Sequence, residues 1–240
     1  MNLSGYFIAG TDTGVGKTRV TVGLLAALAQ AGVYALGMKA VASGTEPSGH
    51  NEDVALIQAA NERALAAGAT GPALDANPYC FQWPISPHLA AHRAGVTIDP
   101  LHIAAAARKL VARPAQAGQD ALLLVEGTGG WLAPIGPGRT MADVAAALGL
   151  PVVLVVGLRL GCLNHALLSA RAITGSALPL AGWIGSHIEP QMLALDENIA
   201  TLDEWLPAPR LGLLAHSASP LADGAQLAAA ARLLHDDALR

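Results

Sequence analysis

The segment GTDTGVGKTRV, Gly10 to Val20, sets glycines, a lysine and a threonine in a pattern suited to phosphate. Gly14, Val15 and Gly16 supply a backbone that can curl so that successive N–H groups point at an anion. A helix opening near Lys17 adds its own unpaired amides. Lys17 is placed to reach β and γ phosphates, and the Thr18 hydroxyl to bind Mg²⁺. The strict form of the motif, G-x-x-x-x-G-K-[ST], needs glycine at position 11, where Thr11 stands; Gly10 is one residue early. A glycine-rich strand–helix turn without a ligand is the competing reading.

Mg²⁺ takes oxygen ligands and usually one or two carboxylates. Glu126 in VEGTGG ends an apolar run, which would put a carboxylate at the mouth of a sheet. Asp53 in HNEDVALI is the second candidate. It also reads as a helix-start acid favoured by the dipole, and Glu52 competes for either role. Gly127, Gly129 and Gly130 allow close backbone approach to a ligand. Lys39 and Ser43 in KAVASG could offer a cation for phosphate charge and a hydroxyl for a polar substrate group; taken alone, a snorkelling lysine and a turn serine are the better reading. The histidines are scattered without H-E-x-x-H spacing, which argues against zinc. Cys80 and Cys162 form no C-x-x-C pair, and Cys162 reads as a small packing residue.

These groups need a scaffold that gathers them. GYFIAG, YALGMKAV, ALLLVEG (121–127), PVVLVVG (151–157), LAGWIG (180–185) and RLGLL (210–214) read as strands. The central ones are continuous apolar runs, as expected when both faces are buried in a parallel sheet. Helices are expected near 17–31, 51–67, 99–112, 141–148, 163–174, 190–205 and 224–238. That alternation predicts one α/β domain over 1–240, a doubly wound, mostly parallel sheet with helices on both faces. Ligands of such sheets gather at the carboxyl ends of the strands, and every motif above falls at one.

The 240 residues, 52% hydrophobic with a net charge of −4, suit a buried sheet under Ala-rich helices. No basic stripe suggests nucleic acid. No apolar run reaches the ~20 residues of a membrane span, and the first residues lack the form of a signal peptide. With two cysteines a reducing cytoplasm is expected.

Together the segments GTDTGVGKT, KAVASG, NPYCF, SPH, VEGTGGW, PVVLVVGLRLGCLNHA, LAGWI and PAP, in that order, resemble the dethiobiotin synthetases, ligases of biotin biosynthesis. The displaced glycine is how that family writes its phosphate loop. The resemblance implies ureido ring closure on diaminononanoate with carbon dioxide or bicarbonate, ATP and Mg²⁺. It implies that Lys17 and Lys39 are catalytic, that Thr18, Asp53 and Glu126 hold the metal, and that Thr13 and Ser43 hold the diamine. It further implies that Gly161, Cys162, Leu163 and Asn164 cradle the substrate's far carboxylate across a homodimer interface. Gly127, Thr128, Gly129, Ser186, Pro207, Ala208 and Pro209 are implied to contact nucleotide.

The chain departs from the family at three places. Ser186 stands where relatives carry a base-reading asparagine, Leu213 replaces an acid, and Gly14 stands where some members have glutamate. A hydroxyl offers less than an amide's paired donor and acceptor, so looser nucleotide selectivity is expected. The rival class is a partitioning-type ATPase switch. Such proteins carry an extra lysine early in the loop, where this chain has Gly10, Thr11 and Asp12.

Overall fold

The computed structural model describes residues 3–66, 75–116, 120–216 and 224–238. β1 (Gly5–Gly10) runs into the glycine loop and α1 (Lys17–Gln30), then β2 (Ala35–Lys39). The chain next leaves the sheet as β3 (Val41–Ser43), crosses α2 (Glu52–Ala66), and returns as β4 (Tyr79–Phe81), which pairs with β3. α3 (Pro87–Arg93), α4 (Pro100–Gln116) and β5 (Leu122–Glu126) follow. A hairpin of β6 (Pro134–Gly136) and β7 (Arg139–Thr140) precedes α5 (Met141–Leu148). The last third alternates β8 (Val152–Leu158), α6 (Cys162–Thr174), β9 (Leu180–His187), α7 (Leu195–Trp205), β10 (Arg210–Leu214) and α8 (Ala228–Ala238).

The main sheet has the order β10-β9-β8-β1-β5-β2, with every neighbouring pair parallel. Alternate residues of a strand face opposite sides. Tyr6 and Ile8 of β1 therefore join one core with α1 and α8, while Phe7 and Ala9 join another with α3 to α7. Burial on both faces accounts for the continuous apolar runs.

Local signals explain several boundaries. Thr140 and Asp143 form a capping box at α5, with the Thr140 N–H donating to Asp143 Oδ2 at 2.7 Å. The expected strand YALGMKAV breaks at Ala40, because Lys39 N–H bonds Ala76 O and the following residues pair with β4 instead. α7 begins at Leu195 rather than 190. Pro190 disfavours helix in the residue before it, and Ala194 takes a left-handed φ of 52°. Residues 224–227 form a turn, so α8 starts at Ala228. The expected end of α2 at 67 lies outside the described residues. Among the described residues, no helix is long and apolar enough to cross a membrane.

One buried amide fixes α2 against the sheet. Asn61 Oδ1 accepts from Gly37 N–H at 2.7 Å and Asn61 Nδ2 donates to Gly37 O at 2.8 Å. Removing it would leave two backbone groups buried and unpaired, at about 1–3 kcal/mol each. This clamp decides where the first turn of α2, and so Asp53, meets the end of β2.

Candidate active site

The carboxyl ends of β1, β2 and β5 and the start of α2 enclose a cleft of about 290 Å³ lined by Thr13, Gly14, Gly16, Lys17, Thr18, Lys39, Asp53, Glu126 and Gly129, among others. α1 opens there with no side-chain cap and no acid in its first turn, so its amides stay available to an anion. Gly16 holds φ at 89°, and an added Cβ would lie 2.5 Å from Ser186 Oγ. Both conformation and space require glycine.

Lys17 is 6% exposed and donates to Asp12 O at 2.8 Å. Burial, reinforced by the Lys39 charge, lowers its pKa to about 8. Lys39, 4% exposed, lies 2.6 Å from Glu126 Oε1 and 2.7 Å from Asp53 Oδ2. Burial works against its charge, but the two carboxylates outweigh burial and raise its pKa. Burial likewise pushes Asp53 up, and Lys39, with help from Thr18 and Lys17, more than reverses this and holds it below the usual carboxylate range. The two lysines move in opposite directions because Lys39 takes both carboxylates. The Thr18 hydroxyl lies 2.7 Å from Asp53 Oδ1 and 2.8 Å from Glu126 Oε1.

Three hard oxygen donors thus converge, and Glu126 Oε2 is buried with no hydrogen-bond partner. That chemistry fits Mg²⁺, which completes its shell with phosphate and water oxygens. Among the described residues no cluster of three or more His, Cys, Asp or Glu offers a metal cage. Asp53, not Glu52, makes the contacts. Asn51 positions it, accepting from Val54 N–H at 3.2 Å and donating to Gly44 O at 2.8 Å.

Other expected residues are distributed less simply. Val15 is buried in the core, leaving its backbone to the loop. Gly127 packs on Phe7, and Thr128 donates to Val41 O, bracing β5 against β3. The Ser43 hydroxyl is buried without a partner. Gly161, Cys162, Leu163 and Asn164 open α6 and do not line the cleft; Cys162 is buried packing, as expected.

Two expected nucleotide contacts are placed differently from one another. Ser186 is 0% exposed, its hydroxyl unpartnered and beside Gly16 of the phosphate loop. Pro207, Ala208 and Pro209 enter the amino end of β10, where Pro209 O accepts from Trp183 N–H at 3.0 Å. At 3.3 Å per residue they sit roughly 15 Å from the carboxyl end of that strand. Leu214 there pairs with Ser186 beside the phosphate loop. The residues actually at that end are His187, Ala215 and His216, with Arg19 Nη2 donating to Ala215 O at 3.1 Å and His216 Nδ1 3.3 Å from His187 O. Leu213 packs over Gly185 and serves the core.

The parallel sheet and the glycine loop opening α1 define a P-loop nucleotide-binding protein. A family profile described as an AAA domain matches residues 4–219. In solved structures the fold is similar to the MinD cell division protein of Aquifex aeolicus, with a TM-score of 0.54 and 16% identity over 98% of each chain. A ParA family ATPase from Chlorobium tepidum has a TM-score of 0.51 at 16% identity, covering 100% of this chain and 99% of that one. At such identity the likeness shows the fold alone. Sequence is more specific. The chain is 47% identical over 232 residues to the ATP-dependent dethiobiotin synthetase BioD of Aromatoleum aromaticum, covering 95% of this chain and 96% of that one. It is 44% identical over 227 residues to the Pseudomonas aeruginosa enzyme of the same name, covering 92% and 95%. The chain belongs to the dethiobiotin synthetase family.

Proposed function

We propose that this chain closes a ureido ring on 7,8-diaminononanoate with carbon dioxide and ATP, releasing dethiobiotin, ADP and phosphate. The observation that carries the reading is the meeting of Lys17, Lys39, Thr18, Asp53 and Glu126 at one cleft.

The substrate supplies its own nucleophile. One amine loses a proton and takes up carbon dioxide as a carbamate. A carbamate oxygen attacks the γ-phosphorus and ADP leaves. The second amine attacks the carbonyl carbon of the mixed anhydride, loses its proton, and phosphate departs with the bridging oxygen. The protein therefore has to position and neutralise charge. Lys17 would hold the β and γ phosphates with the loop amides, and Lys39 would stabilise charge on the transferring phosphoryl group. Thr18, Asp53 and Glu126 would hold Mg²⁺, which would offset charge on the phosphates. Thr13 and Ser43 would hold the diamine or carbamate. Gly161, Cys162, Leu163 and Asn164 would receive the far carboxylate across the interface of a cytoplasmic homodimer, as α6 opens there without a side-chain cap.

The test is ADP release with diamine and bicarbonate added singly and together, with product mass recorded. Release that needs both, with one dethiobiotin per ADP, is expected. Steady ATP hydrolysis indifferent to the diamine would refute the reading.

A further inference from the structure

Two loops that serve different parts of the proposed reaction are tied by one ion pair. Arg159 Nη2 lies 2.8 Å from Asp12 Oδ2, joining residues 147 apart in sequence. Asp12 is already the hub of the phosphate loop: its Oδ1 accepts from Thr13 N–H at 2.7 Å and its carbonyl accepts from Lys17 Nζ at 2.8 Å. Arg159 is equally central to the other loop. Its carbonyl accepts from Cys162 N–H at 3.0 Å and closes the turn in which Gly161 takes φ 93°. Leu158 and Cys162, each 1% exposed, anchor the turn on both sides, while Leu160 between them is 92% exposed.

Stability does not account for the pair. Its side chains are 35% and 48% exposed, and ion pairs so open to water add little to folding. Its position is the better explanation. A phosphate on the loop amides would bind the same loop that carries Asp12, and the Asp12 carboxylate pairs with Arg159, which closes the turn.

We propose that Asp12 and Arg159 form a positioning link through which bound nucleotide sets the Gly161–Asn164 turn, and so tightens the cradle for the far carboxylate of the diamine. This rests on the function proposed above. In the homodimer proposed above, the link would run from one protomer's nucleotide to the substrate tail held for its partner. Neither residue touches the reacting atoms; both act through the turn.

The test is a double-mutant cycle with Arg159→Met, Asp12→Asn and the double variant, adding Arg159→Lys as the conservative control and thermal melting as the fold control. Arg159→Met is expected to raise the diamine KM about tenfold, as for a typical coupling between sites, with the ATP KM within about twofold. Asp12→Asn should raise the diamine KM similarly, and the double variant no further, since the two residues form one unit. Arg159→Lys should recover most of the loss. An unchanged diamine KM in Arg159→Met overturns the link. So does recovery in the double variant, which would mean Arg159 only neutralises Asp12, or an additive loss, which would mean two separate contacts. Wild-type protein that releases no ADP in response to the diamine would instead refute the underlying function.

Discussion

The phosphate corner and the β9–β10 edge are both carboxyl-end regions of one sheet, yet they are built in opposite ways. At the phosphate corner charged groups are paired with one another: Lys39 contacts both Asp53 and Glu126, and Thr18 reaches the same two carboxylates. At the other edge the buried polar group is left alone. Ser186 has no partner, and Leu213 fills core space. Burial of charge is costly unless it is paired, so the first region has one workable arrangement. A buried serine costs far less, so the second tolerates change. The charge arrangement is held where unpaired burial would be costly, and side chains can vary at the edge where it would not.

The comparison is broken most severely at Lys39. Lys39→Ala should lower kcat by about 10²–10³-fold with a much smaller change in ATP KM, as expected when a transition-state charge partner is lost. Steady-state kinetics with saturating diamine checks this, and a kcat within twofold of wild type would remove Lys39 from its role. Next, Glu126→Gln should shift the Mg²⁺ midpoint of activity upward by roughly tenfold, the scale for a disturbed metal shell. A superimposable Mg²⁺ titration would exclude Glu126 as a ligand.

A smaller effect concerns pH. Lys17 has a pKa lowered to about 8, chiefly by burial. Near pH 8 about half the molecules hold it neutral. A triphosphate favours the ammonium form, so binding should take up protons there, and ATP KM should climb a few-fold as pH rises past 8. Calorimetry in buffers of different ionisation enthalpy reads the uptake; the same apparent enthalpy in all of them would contradict it. For folding the sign is the reverse of an ion pair's: the lowered pKa is a penalty carried below about 8 and relieved as pH rises towards the unfolded value.

The smallest effect is at Ser186. Removing an unpaired buried hydroxyl leaves nothing unsatisfied, so Ser186→Ala should change stability by less than about 1 kcal/mol. It should also leave the relative rates of the four nucleoside triphosphates, compared below saturation, unaltered. A changed ranking would place Ser186 at the base after all.

The comparison also marks what the sequence makes legible. β1, β5 and β8 were readable because burial on both faces leaves an unbroken apolar run, Glu126 because it ends such a run, and Lys17 and Thr18 because the glycine loop after β1 leads into them. Short pairings were not. β3 and β4 have three residues each and are joined through α2, and α3 carries only seven. Asn51 and Asn61 position Asp53 through single amides that have no sequence period. The Asp12–Arg159 pair spans 147 residues and leaves no local trace. Pro207, Ala208 and Pro209 precede β10 and were suggested by the resemblance alone, whereas ligands of a parallel sheet gather at the carboxyl ends of its strands.

The central claim is that this cleft holds a substrate carbamate against the terminal phosphorus. Isotope transfer from ¹⁸O-labelled bicarbonate tests it most directly, with released phosphate analysed by mass spectrometry in single turnover before label exchanges with water. One labelled oxygen should appear in each phosphate formed with dethiobiotin. Phosphate whose new oxygen comes from water, with none from bicarbonate, would mean that the cleft hydrolyses ATP instead.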